Sequence, residues 1–133
     1  MAAILFAAIF FCILEKIYMF DYIYGVVEKI SEKKIILDIN GIGFEVNIPE
    51  NSGNKLVVGE KSKIFTKLNI KDEEIKIYGF LTEIERVMFE KLTTVSGVGP
   101  ATALNILSCA EPQALREAIL SEDVSIFKKV KGV

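Results

Sequence analysis

The sequence predicts an α+β protein, with a small β-barrel in the first part of the chain and a purely helical part after it. Three observations support that order. Between Tyr22 and Phe80, short stretches rich in Ile, Val, Phe and Tyr alternate with turn-forming residues, as strands and their connections do. At Thr82 the pattern changes: Glu85 stands three residues on, which is a capping box, and apolar residues then recur at helical spacing. Finally, Val95-Ser96-Gly97-Val98-Gly99-Pro100 separates two stretches of that helical kind.

In chain order, the predicted strands are Tyr22–Lys29, Lys34–Ile39, Phe44–Ile48, Lys63–Ile70 and Ile75–Phe80. Their separators are Ser31-Glu32-Lys33, Asn40-Gly41, Asn51–Gly53 and Lys71–Glu74. Asn40-Gly41 favours a tight hairpin with positive φ, and Gly43 is expected to form a bulge or bend that curls the sheet. Five short curled strands predict a barrel of the OB type. Tyr78-Gly79-Phe80 runs into the Thr82 cap with almost no linker.

The first predicted helix starts at the Thr82 cap and lasts about three turns, with Ile84, Val87, Met88 and Leu92 as its apolar positions. Pro100 suits the first turn of the next helix because its missing N–H would be unpaired there. Ala103, Leu104 and Leu107 give that helix one apolar face. Two further short helices are expected at Pro112–Leu120 and Val124–Val130.

The Gly turn carries the clearest functional signal. Gly97 and Gly99 lack Cβ and tolerate positive φ, so the backbone amides of Gly97, Val98 and Gly99, with the Thr102 hydroxyl, form a candidate phosphate grip at a helix start. Such a site holds nucleic acid without distinguishing bases. Other phosphate motifs fail: Gly99 is followed by Pro100-Ala101-Thr102, where a P-loop needs Lys and a hydroxyl residue and a dinucleotide fingerprint needs a third Gly. The alternative is a helical hairpin whose glycines only permit a sharp reversal. The apolar-x-Gly-apolar entry recurs at Val130-Lys131-Gly132-Val133, so Lys131, Gly132 and Val133 read as the start of a second, incomplete turn.

Composition sets looser bounds. A chain of 133 residues holds one or two small domains, whose modest cores make oligomerisation plausible. The net charge of −2 argues against a strongly basic coat, although Lys33, Lys34, Lys67 and Lys76 are available to a basic face. Cys12 and Cys109 have no metal-type spacing and the chain contains 0 His, so no metal, cofactor or catalytic residue is assigned, and a reducing cytoplasm is consistent. Ala2–Leu14 is an apolar run of 13 residues, short of the roughly 17 that a membrane span needs and without the basic start of a signal peptide.

Across Met19–Val133 the chain resembles the RuvA family, the Holliday-junction-binding subunits of the bacterial branch-migration complex. The resemblance rests on Asp38-Ile39-Asn40-Gly41-Ile42-Gly43-Phe44-Glu45-Val46, on Ile77-Tyr78-Gly79-Phe80, and on Gly97-Val98-Gly99-Pro100 with Ala103-Leu104-Asn105-Ile106-Leu107. It implies an OB-fold domain at 19–81 and a helix-hairpin-helix domain at 82–133, cut off within its second hairpin and lacking the third, RuvB-binding domain. It also implies a homotetramer, or an octamer of two, that binds four-way junction DNA and holds it open for RuvB. Residues 1–18 precede the resemblance and are expected to be non-globular or spurious upstream translation, with a cleaved or anchored segment as the alternative.

Lys71-Asp72-Glu73-Glu74 falls where the family carries its acidic pin, so Asp72 and Glu73 are implied pin residues; by charge alone the segment is a solvated turn. One departure is that family members place Lys or Arg after Gly-x-Gly-Pro, where Ala101-Thr102 stands here and leaves only a hydroxyl. The expected function is a non-enzymatic junction scaffold. The alternatives are a generic OB/helix-hairpin-helix module, a non-functional truncated fragment, and an apolar-anchored membrane protein.

Overall fold

The computed structural model describes residues 19–109. The apolar run at Ala2–Leu14, the expected helices at Pro112–Leu120 and Val124–Val130, and the turn at Lys131-Gly132-Val133 lie outside the described residues.

Five strands form a closed barrel: β1 (Tyr22–Ile30), β2 (Lys34–Ile39), β3 (Ile42–Asn47), β4 (Lys61–Lys71) and β5 (Glu74–Phe80). The order around the barrel is β1-β2-β3-β5-β4, with β4 returning to β1. All neighbours are antiparallel except β3 and β5, which meet in parallel at the Asn47↔Tyr78 pair. This is the predicted OB-type barrel, followed by helices. Its interior holds Ile23, Val27, Ile35, Leu37, Val46, Ile48 and Ile64, the inward positions of alternating strands.

Local chemistry explains the turns. The β2–β3 connection is the two-residue hairpin expected at Asn40-Gly41, with φ of 52° and 90° and the Gly41 N–H donating to Asp38 Oδ1 at 2.8 Å. The expected bulge is elsewhere. Gly43 pairs regularly with Asp38, whereas the register slips in β1, between Val27 and Lys29, leaving Glu28 as the extra residue. An exposed edge position with a charged side chain accommodates the unpaired residue, and nothing at Gly43 demands one. A second difference lies after β3. The separator expected as a loop holds a four-residue helix, α1 (Glu50–Gly53), whose Ser52 N–H donates to the Pro49 carbonyl.

Two longer helices follow, α2 (Glu83–Thr93) and α3 (Pro100–Cys109). Thr82 caps α2 as expected, accepting from the Glu85 N–H at 3.2 Å. The buried face of α2 is rotated from the expected one: Met88 and Leu92 are buried as expected, together with Glu85, Arg86 and Phe89, while Ile84 and Val87 are 63% and 43% exposed. Phe89 decides the rotation of the helix, because it stacks on Tyr78 and Phe80 of β5 with ring centroids 5.1 and 5.0 Å away. In α3 the expected Ala103, Leu104 and Leu107 are buried, and Ile106 joins them. Helices and barrel therefore share a second core built on the outer side of β5.

Two polar clamps hold the helices to the barrel. Arg86 Nη1 donates to the Asp21 carbonyl at 2.6 Å and to Asp21 Oδ1 at 2.8 Å, tying α2 to the entry of β1. At the far end of α3, the Ser108 hydroxyl accepts from the Glu50 N–H at 2.8 Å, and Asn51 Nδ2 donates to the Leu107 carbonyl at 3.4 Å. The second contact satisfies a carbonyl that the ending helix leaves open.

Gly79 is a tight point of this arrangement. A Cβ there would stand 2.4 Å from Val46 Cγ1 and 2.5 Å from Ile64 Cγ2, whereas a Cβ at Gly43 would meet only Ile36 Cγ2, at 3.2 Å. Gly79→Ala is therefore expected to lower stability by about 1–3 kcal/mol through overpacking, and Gly43→Ala to change it by less than about 1 kcal/mol. Urea unfolding of the two variants checks this, and equal midpoints would contradict the packing account.

Candidate nucleic-acid interface

The turn between α2 and α3 begins with Thr94 and Val95 donating N–H groups to the Lys91 and Leu92 carbonyls, which closes α2. Val95-Ser96-Gly97-Val98 then forms a β-turn in which the Val98 N–H donates to the Val95 carbonyl at 3.1 Å. Gly97 has φ of 85°, the third-position geometry that makes Gly the preferred residue of a type II turn. Val98 is half-buried against the helix–β5 core and anchors the turn from beneath, while Ser96, Gly97 and Gly99 are exposed.

Gly99 has a different reason to be Gly. Both glycines tolerate positive φ, but only Gly97 adopts it, and a Cβ at Gly99 would meet nothing within 4 Å. The chain itself thus places no steric demand on Gly99; an approaching group would. The first bond of α3 runs from the Ala103 N–H to the Gly99 carbonyl at 2.9 Å. This sets the N–H groups of Ala101 and Thr102 ahead of the intrahelical ladder, at the positive end of the helix dipole. Thr102 is half-buried beside them.

The other candidate element is the β4–β5 hairpin. Lys71 and Glu74 are paired, so Asp72 and Glu73 form a two-residue tip, with φ of 50° and 65°. Side chains other than Gly, Asn and Asp rarely accept that conformation, so Glu73 makes the tip a strained turn. Both carboxylates are exposed. A cleft of about 280 Å³ separates the hairpin from the start of α3, bordered by Asn69, Lys71, Asp72 and Lys76 on one side and by Pro100 and Ala101 on the other. The structure thus brings Asp72 of the acidic tip and the α3 start to one cleft, with Glu73 and Gly97–Gly99 outside its lining.

Of the four lysines considered for a basic face, Lys76 borders this cleft and lies 3.7 Å from Glu74, while Lys34 pairs with Glu45 at 3.0 Å. Lys33 is exposed in the β1–β2 turn and Lys67 is half-buried on β4. Lys71 also borders the cleft, although the charge pattern of the sequence assigns it only to the acidic turn. Its signal was parity: Lys67, Asn69 and Lys71 alternate on β4, and the register sets Asn69 against Lys76.

Comparison with known proteins follows the same division. Residues 19–79 match the family described as RuvA N terminal domain, and residues 89–133 match the one described as SAM-like Helix-hairpin-helix tandem. Over residues 19–133 the chain belongs to the RuvA family. A protein of Thermodesulfovibrio yellowstonii named Holliday junction branch migration complex subunit RuvA is 39% identical over 115 residues, covering 86% of this chain and 60% of the relative. Relatives of the same name in Halothermothrix orenii and Herpetosiphon aurantiacus are 42% and 33% identical, covering 84% and 82% of this chain and 57% and 56% of those proteins. The chain spans about three-fifths of the length of the RuvA relatives it matches. The tandem match extends over Lys131-Gly132-Val133, the sequence of the second expected turn.

The strain at the tip yields a direct test. Glu73→Gly removes the cost of a left-handed side-chain-bearing residue and is expected to raise stability by about 1 kcal/mol. Thermal unfolding of the variant checks it; an unchanged or lower midpoint would show that the turn is relaxed with Glu in place.

Proposed function

We propose that this chain is a DNA-junction scaffold, a non-catalytic subunit that binds four-way DNA through its helix-hairpin-helix turn and holds the junction open at its acidic hairpin. The observation that carries this reading is the shared cleft, where Asp72 and Lys71 face Pro100 and Ala101. A phosphate seated on the turn is held by the backbone amides around Gly97–Gly99 and at the start of α3, with the Thr102 hydroxyl beside them. Asp72 and Glu73 act in the opposite sense. Carboxylates repel phosphates and bar ordinary duplex from the position they occupy, so they favour a centre where strands part.

The family membership supports the rest of the proposal: a homotetramer working with a RuvB motor in the cytoplasm, with 19–81 as the OB domain and 82–133 as the helix-hairpin-helix domain. Lys131, Gly132 and Val133 belong to the second phosphate-binding turn. Among the described residues no helix is long and apolar enough to cross a membrane.

Gly99→Val is the clean probe of the grip, because the fold has room for the side chain and a phosphate does not. It is expected to weaken binding to four-way, duplex and single-stranded DNA alike, by about tenfold at low salt, without altering the unfolding midpoint. Gly97→Val should weaken binding as well, and should also destabilise the turn. Unaltered junction affinity in folded Gly99→Val would reject the assignment.

Replacing Asp72 with Asn and Glu73 with Gln nearly keeps shape and removes two charges. Linear duplex should then compete better against the junction, and the difference from the parent chain should shrink with added salt. Full junction preference in that variant at low salt would reduce the tip to a solvated turn. Equal affinity of the parent chain for all DNA forms would favour the generic nucleic-acid module instead.

A further inference from the structure

The core parity of the barrel continues beyond the barrel along β4 and β5. On the inner side, Thr66 pairs with Gly79, Leu68 with Ile77 and Ile70 with Ile75. Thr66 and Gly79 are buried and Leu68 and Ile77 half-buried, but Ile70 and Ile75 are 67% and 66% exposed. The hairpin therefore overhangs the barrel and carries a cross-strand isoleucine pair next to its acidic tip. Its outer side is polar, with Asn69, Lys71, Glu74 and Lys76. Apolar residues following core parity, with no core to enter, mark a contact surface.

The surroundings of Ile75 narrow the choice of partner. It borders a second cleft, of about 470 Å³, together with Ile77, Lys34, Glu45 and Asn47, and with Glu74 and Lys76 reaching its rim. Asn47 Nδ2 donates to the Ile77 carbonyl at 3.2 Å, so the amide is held at the edge of the apolar wall. Another protein's apolar face would have to desolvate the exposed Lys34–Glu45 ion pair beside that wall. A nucleobase would not: its flat face is apolar and its edge carries donors and acceptors. The carboxylates at the tip repel phosphate, leaving the uncharged base as the part of a nucleotide suited to this side. Apolar side chains that wedge against unstacked bases are a recurrent device in DNA-binding proteins.

We propose that Ile70 and Ile75 form the seat for one unpaired nucleobase where strands part at the junction centre. This rests on the junction-scaffold reading and adds to it that the hairpin captures a base as well as repelling phosphates. The test uses the full 133-residue chain and a four-way junction with 2-aminopurine at a central or an arm position. The variant is Ile70→Thr with Ile75→Thr, which keeps β-branching and hence the strands. The parent chain should change the emission of the central probe and leave the arm probe unaltered. The variant should lose the central change, bind the junction about five- to tenfold more weakly, and keep its duplex affinity and its sedimentation. A central signal equal to the parent's would overturn the seat, as would a smaller assembly in sedimentation, which would make the isoleucines a contact between copies.

A second variant guards against misfolding of the first. The sequence contains 0 Trp, so Ile75→Trp supplies a single reporter at an exposed site, which the junction should quench and duplex should not. Equal emission with and without junction would overturn the seat. If the parent chain shows no preference for junction over duplex, the scaffold reading and the seat both fall. If the preference holds and the central probe does not respond, the seat alone falls.

Discussion

The final residues of β5, Tyr78–Phe80, are buried on both sides of the strand, and the architecture follows from that constraint. Its inward residue, Gly79, lies against Val46 and Ile64, and its outward residues, Tyr78 and Phe80, lie under Phe89 and α2. One strand thus serves the barrel core and the helical core together. Because Gly79 has no side chain, β5 comes close enough to meet β3 and close the barrel at Asn47↔Tyr78. Because Tyr78 and Phe80 are large, the other side of the strand offers enough apolar area to hold two helices. Burial of Phe80 and its neighbours links the modules energetically, and removal of one such ring costs about 3–5 kcal/mol in comparable cores.

The same constraint positions the candidate interface. With α2 fixed by Phe89 and by the Arg86–Asp21 clamp, and α3 fixed by Ser108 and Asn51, the turn at Gly97–Gly99 has little freedom to drift. β4 and β5 meanwhile run past the helices and end in the free hairpin. The start of α3 and the hairpin then face each other because both extend from the one strand pair. Rigid supports of this kind are what a backbone-amide grip needs, since amides cannot be re-aimed by rotamers.

Much of this was legible in the sequence. The five strands and the Asn40-Gly41 hairpin stand where β-rich stretches and turn chemistry put them, and the Thr82 cap and Gly97 turn are local signals that tertiary structure kept. The misreadings share a cause. Ile84 and Val87 fit a helical apolar stripe with Met88 and Leu92, but the stripe that counts faces Phe80, and the rings of β5 kept Met88 and Leu92 and chose Phe89 in place of the other two. Gly43 resembled a bulge, but the barrel took its extra residue at Glu28, where an exposed charged side chain tolerates it.

By itself the sequence determined the five strands, the starts of the two longer helices at Thr82 and Pro100, and the positive φ of Asn40-Gly41 and Gly97, because these depend on a residue and its near neighbours. Tertiary structure alone decided that Gly79 is indispensable to packing, that Gly99 is free of any demand from its own chain, and that Ile70 and Ile75 overhang the barrel. Each of those facts depends on what stands across space. Register and closure set the neighbours of a side chain, and a residue's place along the chain does not reveal whether the core continues as far as that residue.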